Sequence, residues 1–294
     1  MKYPTDSLLE SNDPRKNDQF LFHYTTYSAA LGILLSQQMR LGPLVNKNDP
    51  LEFEDHRDDG RVIHGNPSNE ELAVIIGDYK NAVDEKMRSV RFASFAMDMP
   101  FCNPPKDSQE NCYNNLSKGW ARSRMWAQYA DNHKGVCLIF DKENLVKTFE
   151  KSFGSCEIHY KEVTYTNSLY PLQKSLEQNC KSLLTSEKIS FLFQKCQDFR
   201  DEQEFRLLLI DKSLKKTDEL VSFSISDSLC GVIPGARFPK ENELSLKKAM
   251  KYCNSKIKWL PIWWNYGMPR LSDAERLKRR IDITRPGRVF RYPF

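Results

Sequence analysis

The sequence predicts a mixed α and β fold in one domain, and three observations lead to this prediction. At 294 residues the chain can bury a sizeable core, and its 40% hydrophobic and 28% charged residues are ordinary globular values. Segments with helical spacing of apolar residues alternate with short apolar runs typical of strands. No repeat, low-complexity tract or clear linker interrupts this pattern. We therefore expect a polar lead-in at 1–19, one α+β domain at 20–265 and a basic tail at 266–294.

The first half of the domain predicts three helices between short strands. The aromatic-rich segment "FLFHYT" is typical of a strand. Ser28 suits the N-cap of the helix that follows, and Gly135 suits the C-terminal cap of a later helix. A polar loop rich in Pro and Asn is expected at 100–115. The predicted elements are a strand at 20–25, a helix at 27–39, a helix at 69–89, a strand at 90–97, a helix at 119–135 and a strand at 136–141.

The second half predicts further strands and two more helices. Apolar or alternating runs bounded by turn residues predict the strands, and apolar residues three and four positions apart predict the helices. The predicted elements are a strand pair at 154–166, a helix at 175–196, a strand at 204–210, a strand at 229–236, a helix at 241–254 and a strand at 256–264.

The stretch "CQDFRDEQEFRLLLI" (196–210) places charges where a buried strand begins. Glu202, Glu204 and Arg206 occupy every second position, so on a strand they would share one face, opposite to an apolar face. A carboxylate in a pocket can stabilise positive charge at a sugar carbon or hold a ribose hydroxyl. The alternative is an Arg–Glu ladder on a solvated surface, which contributes little stability. In either case we expect Glu204→Gln to fold normally, because an exposed or pocket carboxylate contributes little to stability.

Three other groups of polar and aromatic residues are candidates for a site. His23, Tyr24 and Thr25 end the first strand, where an imidazole can hydrogen-bond a ligand or simply lie in the core. Asn48 and Asp49 form an Asn-Asp-Pro turn, whose polar groups can serve the turn itself or a ligand. A third group lies at helical spacing and fits a core stripe or a pocket wall, and its members are Trp126, Tyr129 and His133.

Composition restricts the classes of function. The eight cysteines are scattered without a C-x-x-C pair and the five histidines are dispersed, so no metal is expected. No apolar run approaches the roughly 20 residues that cross a bilayer, and the N-terminus lacks an apolar signal core, so we expect no membrane contact and a cytoplasmic location. The segment 270–294 holds eight Lys/Arg and three Asp/Glu, which accounts for the whole net charge of +5. This tail could contact nucleic acid, or it could be a solvated extension or an oligomer contact.

Several segments, in order, resemble the bacterial domain of unknown function 2971 family. They include "HYT", "NDPLE", "MWAQYADNHKG" and "DEQEFR", and the resemblance runs from about 20 to 260. The start of the chain, a strand with His-x-Thr followed by a helix and "MRLG", also looks like the ADP-ribosyltransferase fold. That likeness implies a single α+β domain with a split, mostly antiparallel β-sheet core flanked by helices.

The likeness to ADP-ribosyltransferases also implies roles for individual residues. His23 would hold the nicotinamide-side ribose of NAD, with Tyr24 beside it. Glu204 would stabilise the ribosyl cation, and Glu202 would orient the acceptor. The middle catalytic position would be Ser94 or Tyr129. We also assign Thr25, Asn48, Asp49, Trp126 and Arg206 to substrate binding.

The leading hypothesis is an NAD-using enzyme that transfers ADP-ribose to a protein or nucleic acid, or to water as an NAD hydrolase. A role in bacterial phage defence or as a toxin would fit such an enzyme by analogy. One alternative is a nucleic-acid or protein binding module without turnover, in which the tail and the aromatic residues do the binding. Another is a nuclease that holds a metal on Glu202 and Glu204.

Overall fold

The amino acids described by the computed structural model cover the strands and helices around the charged stretch. They are residues 19–43, 68, 70, 77, 81, 85, 88–99, 116–167, 192–214, 216, 218–265 and 268–271. All structural statements below concern these residues.

Short strands account for most of the regular structure. In chain order they are β1 (Phe20–Thr25), β2 (Gln38–Pro43), β3 (Val90–Ala96), β4 (Val136–Asp141), β5 (Glu157–Glu162), β6 (Thr164–Thr166), β7 (Gln194–Cys196), β8 (Glu204–Ile210), β9 (Val221–Ser224), β10 (Leu229–Pro234), β11 (Lys258–Trp259), β12 (Ile262–Asn265) and β13 (Met268–Leu271).

Four α-helices accompany these strands within the described residues. They are α1 (Tyr27–Ser36), α2 (Ser123–Tyr129), α3 (Lys142–Phe153) and α4 (Lys240–Cys253), and a 3₁₀ helix spans Gln197–Glu202. The side chain of Thr26 caps α1 by accepting a hydrogen bond from the backbone N–H of Ala29. The cap is therefore two residues earlier than Ser28, the residue that the sequence suggests.

The chain divides into two compact units. One is formed by Met1–Gln37, Asp98–Lys142 and Ser228–Phe294, and the other by Gln38–Met97 and Glu143–Asp227. In the first unit, the strand order is β11-β10-β4-β1. Strand β4 pairs antiparallel with both β1 and β10, β10 pairs parallel with β11, and β12 and β13 form an antiparallel pair. Helices α1 and α4 pack together and bury Leu34 and Leu246.

The second unit contains the charged stretch on a central strand. Its strand order is β5-β8-β3-β2-β9, with every neighbouring pair antiparallel. Strands β6 and β7 form a separate parallel pair. On β8, Glu204 and Arg206 share a face with apolar residues further along the strand. Leu208 and Ile210 of that face form an apolar cluster with Val90, Phe92, Leu192 and Phe193.

The predicted α+β class, with a mostly antiparallel sheet flanked by helices, is confirmed. Strands at 20–25, 136–141 and 204–210 have the bounds that the sequence predicts. The predicted domain limits stay predictions. The tail at 272–294, the loop at 100–115 and nearly all of the helix at 69–89 lie outside the described residues.

Three helix predictions are wrong at their ends. The helix predicted at 27–39 ends at Ser36, and β2 begins at Gln38. The helix predicted at 119–135 is only α2, which begins at Ser123 and is followed by three residues with positive φ: Asp131, Asn132 and His133. The helix predicted at 175–196 cannot extend to its last residues, because Gln194–Cys196 form β7. In this segment, pairing with β6 overrides helical spacing.

Candidate active site

Glu204 is placed at the start of β8 by a sharp change of backbone direction. The 3₁₀ helix ends at Glu202, and Gln203 then takes a left-handed conformation with φ 42° and ψ 57°. This non-glycine residue with positive φ separates Glu202 from the strand that begins at Glu204. The prediction that Glu202 stands in line with Glu204 on a strand face is therefore wrong, although both carboxylates still meet the same lysine.

The main chain of Glu204 is fixed on two sides. Its carbonyl oxygen accepts a hydrogen bond from the N–H of Val163 at 2.8 Å. Its N–H donates to the hydroxyl oxygen of Tyr165, also at 2.8 Å. Tyr165 lies on β6, directly opposite Lys195 of β7 in the register of that pair. The β6–β7 pair therefore contacts both the backbone and the side chain of Glu204.

One oxygen of the Glu204 carboxylate accepts two hydrogen bonds. Ser94 on β3 donates its hydroxyl to Oε1 at 2.5 Å, and Arg206 donates from Nε to the same atom at 2.7 Å. Ser94 stands opposite Arg206 in the β3–β8 register, so it lies diagonally across from Glu204. Sheet geometry thus fixes the serine, the arginine and the carboxylate relative to one another.

The other oxygen, Oε2, is buried and accepts no hydrogen bond from any described residue. The ammonium of Lys195 lies 2.9 Å from it as an ion pair. The direction of that contact is not that of a hydrogen bond, and the ammonium donates instead to Oε2 of Glu202 at 2.8 Å. A buried polar atom without a hydrogen bond is costly, and such atoms in folded proteins call for a functional explanation.

Burial and neighbouring charges act in opposite directions on the pKa of Glu204. Burial alone raises the pKa, but the Arg206 guanidinium and the Lys195 ammonium outweigh it and lower the pKa to about 2. Glu204 is therefore ionised at every physiological pH. With Glu202, Lys195 and Arg206, it forms a cluster of two negative and two positive groups, each at most 6% exposed.

Arg206 is buried by stacking and by hydrogen bonds. Its guanidinium carbon lies 4.5 Å from the centre of the Phe92 ring, and Nη1 donates to the carbonyl oxygen of Leu192 at 2.5 Å. At 1% exposure it supports Glu204 from within the sheet. A solvated Arg–Glu ladder, one of the two interpretations of the sequence, is excluded by this burial.

Other predicted site residues belong to the first compact unit, where several have structural partners. Tyr24 donates its hydroxyl to the carbonyl oxygen of Gly119 at 2.6 Å, and burial raises its pKa well above the usual value. Trp126 is fully buried, packs edge-on against Tyr24 and donates from Nε1 to the carbonyl oxygen of Trp120. These contacts fit a core role for both side chains better than a role in binding.

The remaining predicted residues are placed as follows. His23 is half-buried and pairs with Leu138 in the β1–β4 register, and Thr25 ends β1 at 8% exposure. Tyr129 is half-buried at the end of α2, where its hydroxyl accepts a hydrogen bond from Gln128. Asn48 and Asp49 lie outside the described residues. The structure therefore brings together Ser94, Glu202, Glu204 and Arg206, and the roles of the others stay predictions.

Sequence reasoning missed Lys195 and Tyr165. Lys195 lies in a segment that the sequence predicts as helix, and Tyr165 lies in the three-residue strand "TYT", so neither belongs to a recognisable motif. Charge balance was the one available signal. Two acids and one arginine beside a buried strand leave a negative charge that a further cation must neutralise.

The cluster defines a class of site: an ionised, buried carboxylate with two hydrogen bonds to one oxygen and, on the other oxygen, an ion pair with Lys195 but no hydrogen bond from a described residue. Such a group can accept a hydrogen bond from a hydroxyl or stabilise a cation.

A family model described as a protein of unknown function (DUF2971) matches residues 125–207. The matched segment contains Glu204, but Ser94 lies before it. No curated protein and no solved structure matches the chain.

Proposed function

We propose that the protein is an NAD-using, ADP-ribosyltransferase-like enzyme that cleaves the bond between nicotinamide and ribose. The observation that carries the proposal is the buried Oε2 of Glu204, which accepts no hydrogen bond from a described residue. A ribose hydroxyl would supply that hydrogen bond. The Ser94–Glu204 hydrogen bond supports Ser94, rather than Tyr129, as the middle member of the expected series.

In the proposed reaction, the C1′–N bond of NAD breaks and both of its electrons leave with nicotinamide. The ribosyl cation is then captured by an oxygen or nitrogen of a macromolecule, or by water, and the acceptor loses a proton. Glu204 accepts the ribose 2′-hydroxyl on Oε2 while Ser94 and Arg206 hold Oε1. Because the cluster as a whole is neutral, Glu204 acts more by orienting this hydroxyl than by presenting a bare negative charge.

Glu202 has a different role in this proposal from the acceptor-orienting role that the resemblance implies. It is 3% exposed and its Oε2 accepts a hydrogen bond from Lys195. In this proposal Glu202 therefore holds the Lys195 ammonium rather than an acceptor. A part in bacterial defence or as a toxin stays an analogy with enzymes of this type.

The metal-nuclease alternative is opposed by the position of Lys195. Its ammonium lies between Glu202 and Glu204, at 2.8 Å and 2.9 Å from their oxygens, so a cation already occupies the place a metal would take. Cleavage of DNA or RNA that EDTA abolishes would favour the nuclease instead. The nucleic-acid binding alternative depends on the segment 270–294, of which residues 272–294 lie outside the described residues.

The test is release of nicotinamide from NAD labelled in the nicotinamide ring. We expect release by the wild type, loss of at least about 100-fold for Glu204→Gln and about tenfold for Ser94→Ala, which removes one hydrogen bond to a charged group. Glu143→Gln is the matched control, because Glu143 is an exposed carboxylate paired with Lys147. Circular dichroism establishes that each variant is folded.

Two outcomes would contradict the proposal. One is a wild type that releases no nicotinamide with any acceptor or with water. The other is a folded Glu204→Gln variant that turns over as fast as the wild type. If Glu204→Gln does not fold, Ser94→Ala carries the test, and full activity in that variant counts against the proposal.

A further inference from the structure

The position of Lys195 is the starting point for an inference that rests on the proposed function. Lys195 contacts the oxygen of Glu204 that the substrate hydroxyl would need. Its ammonium is nevertheless held elsewhere, because its well-directed hydrogen bond goes to Glu202. The side chains of Lys195 and Glu202 are 7% and 4% exposed, so water competes little for this pair.

The small β6–β7 pair makes Lys195 part of a rigid support for Glu204. Lys195 on β7 and Tyr165 on β6 are opposite each other, and each contacts Glu204. The Lys195 ammonium also lies 5.4 Å from the centre of the Phe199 ring in the 3₁₀ helix that ends at Glu202. Lys195 and Glu202 therefore lie on two consecutive elements, β7 and the 3₁₀ helix.

We propose that Lys195 is the positioning residue for Glu204 Oε2, and that Glu202 is the anchor that lets Lys195 give up this oxygen to the substrate hydroxyl. Before substrate binds, the ammonium keeps the carboxylate in a single orientation. When the ribose hydroxyl arrives, the ammonium stays on Glu202 and its contact with Glu204 lengthens. No covalent bond forms or breaks in this step.

The role of the anchor is tested first by Glu202→Gln. Without the second carboxylate, Lys195 pairs with Glu204 alone, and substrate must displace it. We expect the KM for NAD to rise about tenfold while kcat stays within about twofold, because the cost falls on binding. An unchanged KM in a folded Glu202→Gln variant would overturn the anchor role.

The role of the lysine is tested by the double variant Lys195→Met/Glu202→Gln. It removes one cation and one anion together, so no buried charge is left without a partner. We expect it to fold and to lose about 100-fold in kcat, because Oε2 is no longer positioned. Lys195→Arg, which keeps a donor for both carboxylates, is expected to recover part of this loss, a pattern that a purely structural role would not produce.

The results separate the two proposals. A wild type without nicotinamide release overturns the proposed function and with it this inference. The role of Lys195 is overturned, and the proposed function is not, if the wild type is active and both the Glu202→Gln and the double variant fold and have wild-type KM and kcat. If the double variant does not fold, the KM of Glu202→Gln decides the matter: a wild-type KM for NAD in that variant overturns the inference.

Discussion

At the scale of single residues, Glu204 depends on its neighbours for its charge. A buried carboxylate is destabilising unless cations and hydrogen bonds compensate for the lost water. Here Arg206, Lys195 and Ser94 provide that compensation. This dependence reverses the sequence-based expectation that Glu204→Gln folds with normal stability, because that expectation assumed an exposed or pocket carboxylate.

We expect Glu204→Gln to lower the free energy of unfolding at pH 7 by about 3 kcal/mol, the cost typical of breaking a buried ion pair. Arg206 would keep its stacking on Phe92 but lose its anionic partner. Urea denaturation followed by circular dichroism measures this difference. Glu143→Gln is the control and is expected to leave the unfolding curve unchanged, since Glu143 is exposed. An equally small effect at both positions would contradict the buried cluster.

Acid should remove the same stabilisation. The pKa of Glu204 is lowered from its ordinary 4.5 to about 2, so the folded state binds this proton less readily than the unfolded state. Its contribution is therefore complete above about pH 5 and is lost as the pH falls toward 2. We expect the difference in unfolding free energy between wild type and Glu204→Gln to be constant from pH 5 to 7 and to shrink below pH 4.5. A difference that is constant down to pH 2.5 would be inconsistent with the lowered pKa.

At the scale of elements, the turn after α2 has a left-handed backbone that the sequence does not reveal. Asp131, Asn132 and His133 have φ values of 45°, 49° and 70°, and the N–H of Gly135 then donates to the carbonyl oxygen of Ala130. The His133 ring stacks on Trp126, with 6.2 Å between ring centres. Two members of the predicted stripe, Trp126 and His133, are therefore in contact, although His133 lies beyond the helix.

Gly135 is needed for space rather than for a positive φ. A Cβ at this position would overlap the carbonyl oxygen of Thr25 and lie 2.9 Å from the Cα of Ala130. We expect Gly135→Ala to lower the melting temperature, with a cost of at least about 2 kcal/mol from overpacking against backbone. Gly32→Ala is the matched control, because Gly32 lies within α1 and a Cβ there meets nothing within 4 Å. It is expected to raise stability by about 0.5–1 kcal/mol, and the opposite order of the two variants would contradict the packing.

Strands were easier to predict than helix ends. The segments 20–25, 136–141 and 204–210 are apolar runs bounded by polar or turn residues, and these local signals suffice. The end of α2 is set instead by the turn with positive φ at 131–133, and the strand at 194–196 by pairing with β6, which is distant in sequence. Local periodicity contains no information about such partners.

At the scale of the whole molecule, the sequence identified the charged stretch but not the burial of its charges. Alternation of Glu204 and Arg206 with apolar residues predicts that they share a strand face, and they do. The cover over that face comes from Leu192 and Phe193, and the balancing cation from Lys195. These residues lie next to the face only in the folded chain, so the local sequence of β8 does not indicate them. None of the helices among the described residues has the length and apolar character needed to cross a membrane.

The net charge of +5 offers a separate comparison between the proposed enzyme and a binding module. The whole excess belongs to 270–294. If that tail binds nucleic acid, the association constant should fall steeply with salt, and deletion of the tail should abolish it. The proposed reaction takes place at Glu204, so replacing the arginines at 272–294 with glutamine is expected to leave nicotinamide release unchanged. If the same replacement abolished both nicotinamide release and nucleic-acid binding, the tail would be part of the active site, which the proposal does not predict.

The proposed function and the role of Lys195 both require that Glu204 Oε2 accepts a hydrogen bond from a hydroxyl of NAD. A crystal structure of Ser94→Ala with NAD, in which turnover is slowed, measures this directly. We expect a ribose hydroxyl about 2.8 Å from Oε2, the ordinary length of such a hydrogen bond, with the Lys195 ammonium hydrogen-bonded to Glu202. NAD bound at a different place, with the Lys195 ammonium still against Glu204, would contradict it.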